Sequence, residues 1–323
     1  MVCLFIMMAI VWSMVSASCP NLVSAWFCLE INAYIFVPLF LYNKWDQLPM
    51  KSSIWKFFVV QSVSTCLFIL YLVMPYDFLS SYPNFGGLMI WLAMFYKMGI
   101  PPFQGWLLEV CERATWMNFY VLNVIQKLPP LVVIMTFNQG NTLTFLFLWA
   151  LFFMFFSLKS TFYYPSSRQF FVFSSIMNMG WMVYSVFTGN FLTFLIYFVY
   201  SILMMVVLLR MGTKKNLDFS GFFGYKPSRR VSMFILILSL LGMPPLLGFF
   251  PKLLILIQGD IASFGFVIVC TSLFIYIYSK LFMLMIFLRG YSHKDFKKGN
   301  LVMDILTYMS LFLNLLGFLF FLN

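Results

Sequence analysis

Apolar segments of about 20 residues follow one another along almost the whole chain, separated by short loops. A helix needs a segment of this length to cross the hydrocarbon core of a bilayer. Only 9% of the 323 residues are charged and 63% are hydrophobic, so the loops leave no room for a soluble domain. We therefore predict an all-α, polytopic membrane protein in which residues 1–323 form a single membrane domain.

The hydropathy pattern predicts about eleven transmembrane helices. Their approximate spans are 1–19, 22–42, 52–74, 84–107, 115–137, 141–160, 169–188, 190–211, 230–257, 262–288 and 302–322. The first span is interpreted as a retained helix rather than a signal peptide, because no Lys or Arg precedes Lys44.

The basic residues predict the orientation of the chain. They lie in the loops after predicted helices 2, 4, 6, 8 and 10, whereas the opposite loops carry neither Lys nor Arg. The positive-inside rule then places the N-terminus and the basic loops on the matrix or cytoplasmic side, and the C-terminus on the other side. Because the net charge of +11 is spread over these loops, we do not expect a nucleic-acid-binding face.

Four lysines lie inside the apolar segments: Lys97, Lys127, Lys252 and Lys280. A charge at this depth is costly, and it is usually kept because it takes part in transport or pairs with an opposite charge. Glu30 is the acidic residue deep in a predicted span, and we predict that it pairs with Lys97. For Lys280, a side chain that reaches the headgroups or a structural ion pair is an equally open interpretation.

Double prolines accompany three of these lysines and predict broken helices. They are Pro101 and Pro102, Pro129 and Pro130, and Pro244 and Pro245. Because proline has no N–H group, the carbonyls four residues earlier lose their hydrogen bonds and must be satisfied by other helices or by water. We therefore expect a wetted polar interior beside the lysines, and water between titratable groups would form a path for protons.

A short sequence pattern occurs twice, as GIPPFQGW at 99–106 and as GMPPLLGF at 242–249. The copies lie in predicted helices 4 and 9, and this odd offset makes them cross the membrane in opposite directions. Inverted repeats with broken helices are typical of transporters, with the breaks next to the transported ion. The predicted repeat halves are approximately 1–137 and 141–288, followed by the last helix at 302–322.

The six cysteines and the single histidine, His293, show no metal-binding spacing. We interpret the cysteines as small apolar residues in or near the spans. No metal ion and no cofactor is expected in this chain.

Six motifs in a fixed order carry a family resemblance. They are AWFCLEIN (25–32), KMGIPPFQGW (97–106), ATWMN (114–118), IQKLPP (125–130), FSSIMNMGWM (173–182) and LLGMPPLLGFFPK (240–252). Together they resemble the animal chain 2 subunits of NADH-ubiquinone oxidoreductase, which are mitochondrially encoded, antiporter-like core membrane subunits of respiratory complex I. The resemblance extends from about residue 20 to residue 255.

The resemblance implies a proton-translocating subunit of the respiratory electron-transport chain. It assigns proton-relay roles to Glu30, Lys97, Lys127 and Lys252. Lys280 is a further relay candidate because it lies in an apolar span, and not because of the resemblance. It also implies that the chain holds no redox centre, since NAD, FMN, the iron–sulfur clusters and ubiquinone belong to other subunits. The chain would then act as part of an H⁺-translocating NADH:ubiquinone reductase in the mitochondrial inner membrane, together with other antiporter-like and accessory subunits and phospholipids.

Two positions depart from the pattern of this family. Gln104 and Asn178 stand where the family usually has histidine. Amide side chains bind water but do not titrate near neutral pH, so both are candidates for lining the path rather than for carrying a proton.

Two alternative functions remain open at this stage. The chain could be a stand-alone cation/proton antiporter, or a structural membrane-arm subunit that conducts no protons.

Overall fold

The computed structural model describes residues 2–42, 48–75, 83–136, 167–187, 199–204, 235–240, 242–243 and 246–258, together with 152, 196, 271–272 and 276. Every regular element within these ranges is helical, which agrees with the predicted all-α class. The chain divides into two compact units, Met1–Trp149 and Ala150–Asn323.

The first unit is a bundle of apolar helices. Its helices are α1 (Val2–Ala17), α2 (Leu22–Tyr42), α3 (Leu48–Val73), α4 (Pro83–Met98), α5 (Gly105–Arg113), α6 (Trp116–Asn123), a 3-10 helix (Ile125–Lys127) and α7 (Leu128–Thr136). Helix α2 packs against α1 and α3, α3 packs against α4 and α5, and α7 packs against α1 and α4. The unit therefore encloses the segment from α6 to α7 with longer helices.

Three helical stretches among the described residues are long and apolar enough to cross a membrane: Leu22–Phe40, Ser52–Val73 and Trp116–Thr136. They differ in how much of their surface other helices cover. The stretch Trp116–Thr136 is 72% buried, whereas Ser52–Val73 is 28% buried and exposes large apolar side chains such as Trp55 and Val59. Trp116–Thr136 therefore lies largely inside the protein, whereas α3 has an exposed apolar face, as expected of a helix that meets an apolar surrounding on one side.

Two predicted spans are not single helices. The predicted helix 84–107 ends at Met98, and α5 begins only at Gly105. The predicted helix 115–137 begins one residue later, at Trp116, and passes through the 3-10 helix before α7. The first interruption contains Pro101 and Pro102, whose missing N–H groups and rings prevent a regular α-helix. The second lies just before Pro129 and Pro130, which belong to the first turn of α7. The N-terminus of α6 is set by Thr115, whose side chain accepts a hydrogen bond from the backbone N–H of Asn118.

The second unit is described in part. Helix α8 (Ser167–Phe187) follows the predicted span 169–188 closely, and every side chain from 170 to 186 is buried. Helix α9 (Phe249–Gln258) and the helical residues 235–240 lie on either side of the third double proline in the sequence. Pro244, Pro245 and Lys280 lie outside the described residues, as do all or most residues of predicted spans 141–160, 190–211, 262–288 and 302–322. The predicted number of helices therefore stays a prediction.

Hydroxyl groups in these helices bond to their own backbone. Each donates to the carbonyl three residues earlier, over 2.6–2.8 Å, and this holds for Ser13, Ser16, Ser24, Ser62, Ser64, Thr65, Ser174, Ser175, Ser185 and Ser239. A hydroxyl satisfied in this way can face an apolar surrounding at little cost. Several bonds between helices are made by side-chain amides, for example from Asn118 of α6 to the carbonyl of Leu39 on α2.

Candidate functional site

The break after α4 is a well-defined turn. The N–H of Gly99 bonds to the carbonyl of Tyr96 at 3.2 Å, and that of Ile100 bonds to the carbonyl of Phe95 at 3.1 Å. This pair of bonds is the Schellman motif, which needs a residue with positive φ, and Gly99 has φ +65°. A Cβ at Gly99 would lie 3.0 Å from the ring of Trp106, so α5 folds back over the turn. The glycine is required here by both conformation and space.

The predicted partner of Lys97 is present. Its ammonium lies 3.0 Å from Oε1 of Glu30, which joins the last turn of α4 to the middle of α2. The side chain of Lys97 is 3% exposed and that of Glu30 is 16% exposed. Each charge would be costly at this depth without the other, so the pairing predicted from the sequence is confirmed. The role of the pair in proton transfer stays a prediction at this point.

A residue that the sequence did not single out supports this lysine. Pro101 has no N–H to donate to the carbonyl of Lys97, and the side chain of Gln61 donates to that carbonyl instead, at 3.4 Å. Gln61 belongs to α3 and is buried. The expectation that another helix satisfies a carbonyl freed by proline is thus met at Lys97. A lone amide within the apolar span of α3 was the signal that could have identified Gln61.

Lys127 lies at the end of the 3-10 helix and is 1% exposed. Pro129 and Pro130 occupy the first turn of α7, where a missing N–H does little harm. The preceding side chain, Gln126, donates to the backbone carbonyl of Asn32 at 3.0 Å and lies 3.4 Å from the side-chain oxygen of the same residue. The 3-10 helix is therefore tied to α2, the helix that also carries Glu30.

Two amides beside these groups have buried polar atoms without a partner in the described part of the chain. They are the Nδ2 of Asn32 and the Oε1 of Gln104. Gln104 precedes α5 but its side chain does not cap that helix. Buried amide atoms in this state are suitable ligands for water molecules. Asn178, the other predicted lining residue, donates its amide to the carbonyl of Ser174 within α8, at 3.0 Å.

The second copy of the sequence pattern has the same backbone bonds as the first. Gly242, with φ +78°, donates to Ser239 at 3.0 Å, and Met243 donates to Leu238 at 3.3 Å. One turn later Leu246 donates to Met243 at 2.8 Å, as Phe103 donates to Ile100 at 2.9 Å in the first copy. The two copies therefore share a Schellman motif followed by a tight turn. Their inverted orientation stays a prediction.

Lys252 lies on α9 and is 4% exposed. Its ammonium lies 5.5 Å from the ring centroid of Trp181 on α8, within the range of a cation–π interaction. The aliphatic part of the same side chain covers the turn, because a Cβ at Gly242 would be 2.8 Å from Cδ of Lys252. Trp181 belongs to one of the quoted motifs, but its spacing did not indicate this contact.

A second ion pair involves the first half of α3. Lys56 bonds to Glu109 of α5, and both side chains are about half exposed. Nearby, Arg113 donates to the hydroxyl of Ser52 at 2.8 Å. These contacts bring together two segments that the charge pattern assigned to the same side of the membrane.

Similar proteins come from one family of membrane subunits. NADH-ubiquinone oxidoreductase chain 2 of Anopheles gambiae is 28% identical over 325 residues, which cover 97% of this chain and 94% of that protein. A chain of respiratory complex I from Thermus thermophilus has a TM-score of 0.80 at 16% identity, covering 98% of this chain and 77% of that one. A chain of the Mrp complex from Dietzia sp. has a TM-score of 0.68 at 14% identity, covering 81% of this chain and 56% of that one.

The two structural likenesses show a shared fold. The family described as NADH:quinone oxidoreductase/Mrp antiporter, TM, matches residues 19–278. This match covers the Glu30–Lys97 pair, Lys127, Lys252 and both copies of the repeated Gly-X-Pro-Pro pattern, at 99–102 and 242–245. The chain belongs to the NADH:quinone oxidoreductase/Mrp antiporter transmembrane family.

Proposed function

We propose that this chain is a proton-translocating, antiporter-like subunit of mitochondrial NADH:ubiquinone oxidoreductase. Its relatives named NADH-ubiquinone oxidoreductase chain 2 support this assignment along most of the chain. Redox chemistry in other subunits drives the transport, and NAD, FMN, iron–sulfur clusters and ubiquinone are bound there. This chain contributes ionisable side chains and the water between them.

The observation that carries the proposal is the buried pair of Lys97 and Glu30 beside a broken helix. When a proton reaches Glu30 the carboxyl becomes neutral, and the attraction that holds the ammonium of Lys97 is lost. The ammonium of Lys97 then releases its proton to the next acceptor and becomes a neutral amine. The protonated carboxyl of Glu30 passes its proton to this amine, 3.0 Å away, and the ion pair is restored for the next proton. A buried pair responds in this way because the low-dielectric surroundings strengthen each electrostatic change.

The next acceptor is Lys127. Helix α2 contacts both lysine-bearing segments, through Glu30 on one side and through Asn32 and Gln126 on the other. The buried Nδ2 of Asn32 and the Oε1 of Gln104 are positions at which water would complete the polar path. The path therefore needs no histidine at position 104, because an amide can hold the water that a proton crosses.

Lys252 serves as the relay of the second unit, where the ring of Trp181 stabilises its charged form. Lys280 is a further relay candidate on the basis of its place in an apolar span. Asn178 lines the path in this scheme, and the breaks at Pro101, Pro129 and Pro244 with their neighbouring prolines admit the water.

The chain resides in the mitochondrial inner membrane, with its N-terminus and basic loops towards the matrix and its C-terminus towards the intermembrane space. The contacts of Lys56 with Glu109 and of Arg113 with Ser52 support one shared side for the first two basic segments. Its partners are the other membrane-arm subunits of complex I, including the neighbouring antiporter-like subunits, together with accessory subunits and phospholipids.

The test replaces Lys97 with alanine and compares proton pumping with quinone reduction in the assembled complex. We expect fewer protons pumped for each NADH oxidised, because the pair with Glu30 is gone. Lys56→Ala is the matched control, since Lys56 is a half-exposed lysine of the same unit. Assembly with wild-type pumping in Lys97→Ala would refute the relay.

A stand-alone cation/proton antiporter is the competing function. The fold that this chain shares with a chain of the Mrp complex is the observation that favours it. Purification from membranes separates the two. Under our proposal the chain co-purifies with NADH-oxidising activity and leaves the membrane as part of that particle. A chain that purifies without any NADH dehydrogenase subunit would support the antiporter instead. A complex that pumps normally after replacement of all the relay lysines would support a purely structural role.

A further inference from the structure

Two cysteines of the first unit are in contact with each other. The Sγ atoms of Cys19 and Cys28 lie 3.5 Å apart. Cys19 follows the end of α1 in the turn that leads into α2, and Cys28 lies on α2 itself. A disulfide needs its sulfur atoms about 2.05 Å apart, so at least one of the two side chains must move for the bond to form. Sequence spacing gave no hint of this pair.

The two thiols differ in access. Cys19 is partly exposed, and its Sγ also bonds to the carbonyl of Val15 at 3.2 Å. Cys28 is 4% exposed. An oxidant therefore reaches Cys19 first, while Cys28 is held next to it and shielded. This arrangement of an accessible thiol beside a second thiol is typical of cysteines that oxidise reversibly to a disulfide.

The other described cysteines differ from this pair. Cys66 is exposed on α3, and Cys111 is buried on α5 with the side-chain amide of Asn123 at 3.4 Å from its sulfur. Among the four cysteines whose side chains the structure describes (Cys19, Cys28, Cys66 and Cys111), Cys19 and Cys28 have an observed sulfur–sulfur contact. Cys66 and Cys111 thus serve as internal references for exposure and for burial.

We propose that Cys19 and Cys28 form a reversible disulfide when a hydroperoxide oxidises the chain. The sulfur of Cys19 attacks the peroxide O–O bond, giving a sulfenic acid and one water (or alcohol). The sulfur of Cys28 then attacks the sulfur of the sulfenic acid, the S–S bond forms, and a second water leaves with the proton from Cys28. Two thiols are oxidised to one disulfide, and one peroxide is reduced by two electrons.

The disulfide would fasten the end of α1 to α2 across their connecting turn. Helix α2 carries Glu30 shortly after Cys28, so the bond would restrict the helix that presents the carboxylate to Lys97. The modification itself depends only on the two sulfur atoms and stands independently of the proton-transfer proposal.

The test uses native membranes that contain the intact complex, treated with hydrogen peroxide. Free thiols are then blocked with an alkylating reagent under denaturing conditions, and the alkylated positions are read by mass spectrometry with and without reduction. We expect alkylation at Cys19 and Cys28 to fall together and to return after reduction with dithiothreitol. Cys66 and Cys111 should stay alkylated at their original level.

Two other results would overturn the proposal. One is full alkylation of both cysteines after the treatment. The other is oxidation of Cys19 to a sulfinic acid, or its coupling to a small thiol, while Cys28 stays free. A Cys28→Ser variant adds an independent check: the sulfenic acid at Cys19 should then persist and be captured by dimedone, whereas Cys66→Ser should leave the disulfide unchanged. Absence of the dimedone adduct in Cys28→Ser would also refute the two-step route.

Discussion

The two copies of the repeated Gly-X-Pro-Pro pattern share the same backbone hydrogen bonds among their described residues, but their lysines have different partners. In the first turn the lysine precedes the glycine, and Lys97 meets the carboxylate of Glu30. In the second turn the lysine follows the glycine, and Lys252 lies over the ring of Trp181 while its stem covers Gly242. The sequence repeat therefore preserves a helix break, and each unit supplies its own electrostatic surroundings for the buried ammonium.

The largest expected effect on stability distinguishes Gly105 and Gly248, the second glycines of the two copies of the repeated pattern. A Cβ at Gly248 would lie 1.7 Å from the carbonyl oxygen of Ser239, whereas a Cβ at Gly105 would meet no atom within 4 Å. Because backbone atoms on both sides must move, Gly248→Ala should destabilise the protein by more than about 4 kcal/mol. Gly105→Ala should change stability by about 0.5 kcal/mol or less. The effect of each variant is measured from the amount of chain in the membrane and from thermal unfolding of the solubilised complex. Equal effects of Gly248→Ala and Gly105→Ala would mean that the two glycines are packed alike.

The next effect tests the ion pair of the first copy. Glu30→Gln leaves a buried ammonium at Lys97, so we expect a loss of about 3 kcal/mol in thermal stability together with reduced pumping. The double variant Glu30→Gln, Lys97→Met should recover much of the stability and none of the pumping. The half-exposed pair of Lys56 and Glu109 is the control: Glu109→Gln should cost about 1 kcal/mol or less. A larger loss from Glu109→Gln than from Glu30→Gln would contradict the comparison.

Gln61→Leu tests the bond that replaces the missing donor of Pro101. The carbonyl of Lys97 would lose the hydrogen bond that Gln61 donates, which should cost about 1–2 kcal/mol. Ser62→Ala on the same helix removes a hydroxyl bonded to Val59 and should change stability by about 0.5 kcal/mol or less. Thermal unfolding distinguishes the two. If both variants behave alike, the long bond at 3.4 Å contributes nothing to the turn.

The smallest expected effect concerns the interaction of Lys252 with the ring of Trp181. Trp181→Phe keeps an aromatic residue but weakens the attraction on Lys252, so we expect a coupling of about 0.5–1 kcal/mol between the two positions. A double-mutant cycle with Lys252→Met measures it from thermal unfolding, because the cycle subtracts the packing change of the smaller ring. Strictly additive effects would show that the ring fills space beside the lysine without stabilising its charge.

The features that sequence analysis predicted correctly depend on the chemistry of single residues and not on how the helices pack. Glu30 and Lys97 were paired because each is costly alone in an apolar span, and the structure confirms the pair. The double proline at 101 and 102 was predicted to break a helix, and the helix does end at Met98. Both inferences need only the cost of a buried charge and the missing proline donor.

The features that were missed depend on how helices pack. Nothing in the sequence aligns Gln61 of α3 with the carbonyl of Lys97, or brings Trp181 to Lys252. The contact of Cys19 with Cys28 likewise depends on the direction of one turn between two helices. The residue at which the helix ends was not predicted either, because Gly99, with positive φ, ends α4 before the predicted break at Pro101 and Pro102 is reached.

The serine bonds have a consequence for how charge can travel. A hopping proton needs an oxygen that takes a proton from behind while releasing its own in front. Ser174 and Ser175, next to Asn178 on α8, direct their hydroxyl hydrogens sideways into the backbone carbonyls of Phe171 and Val172. Each must rotate away from that carbonyl before it can pass a proton to another acceptor, so in the observed conformation these two serines do not relay protons along α8.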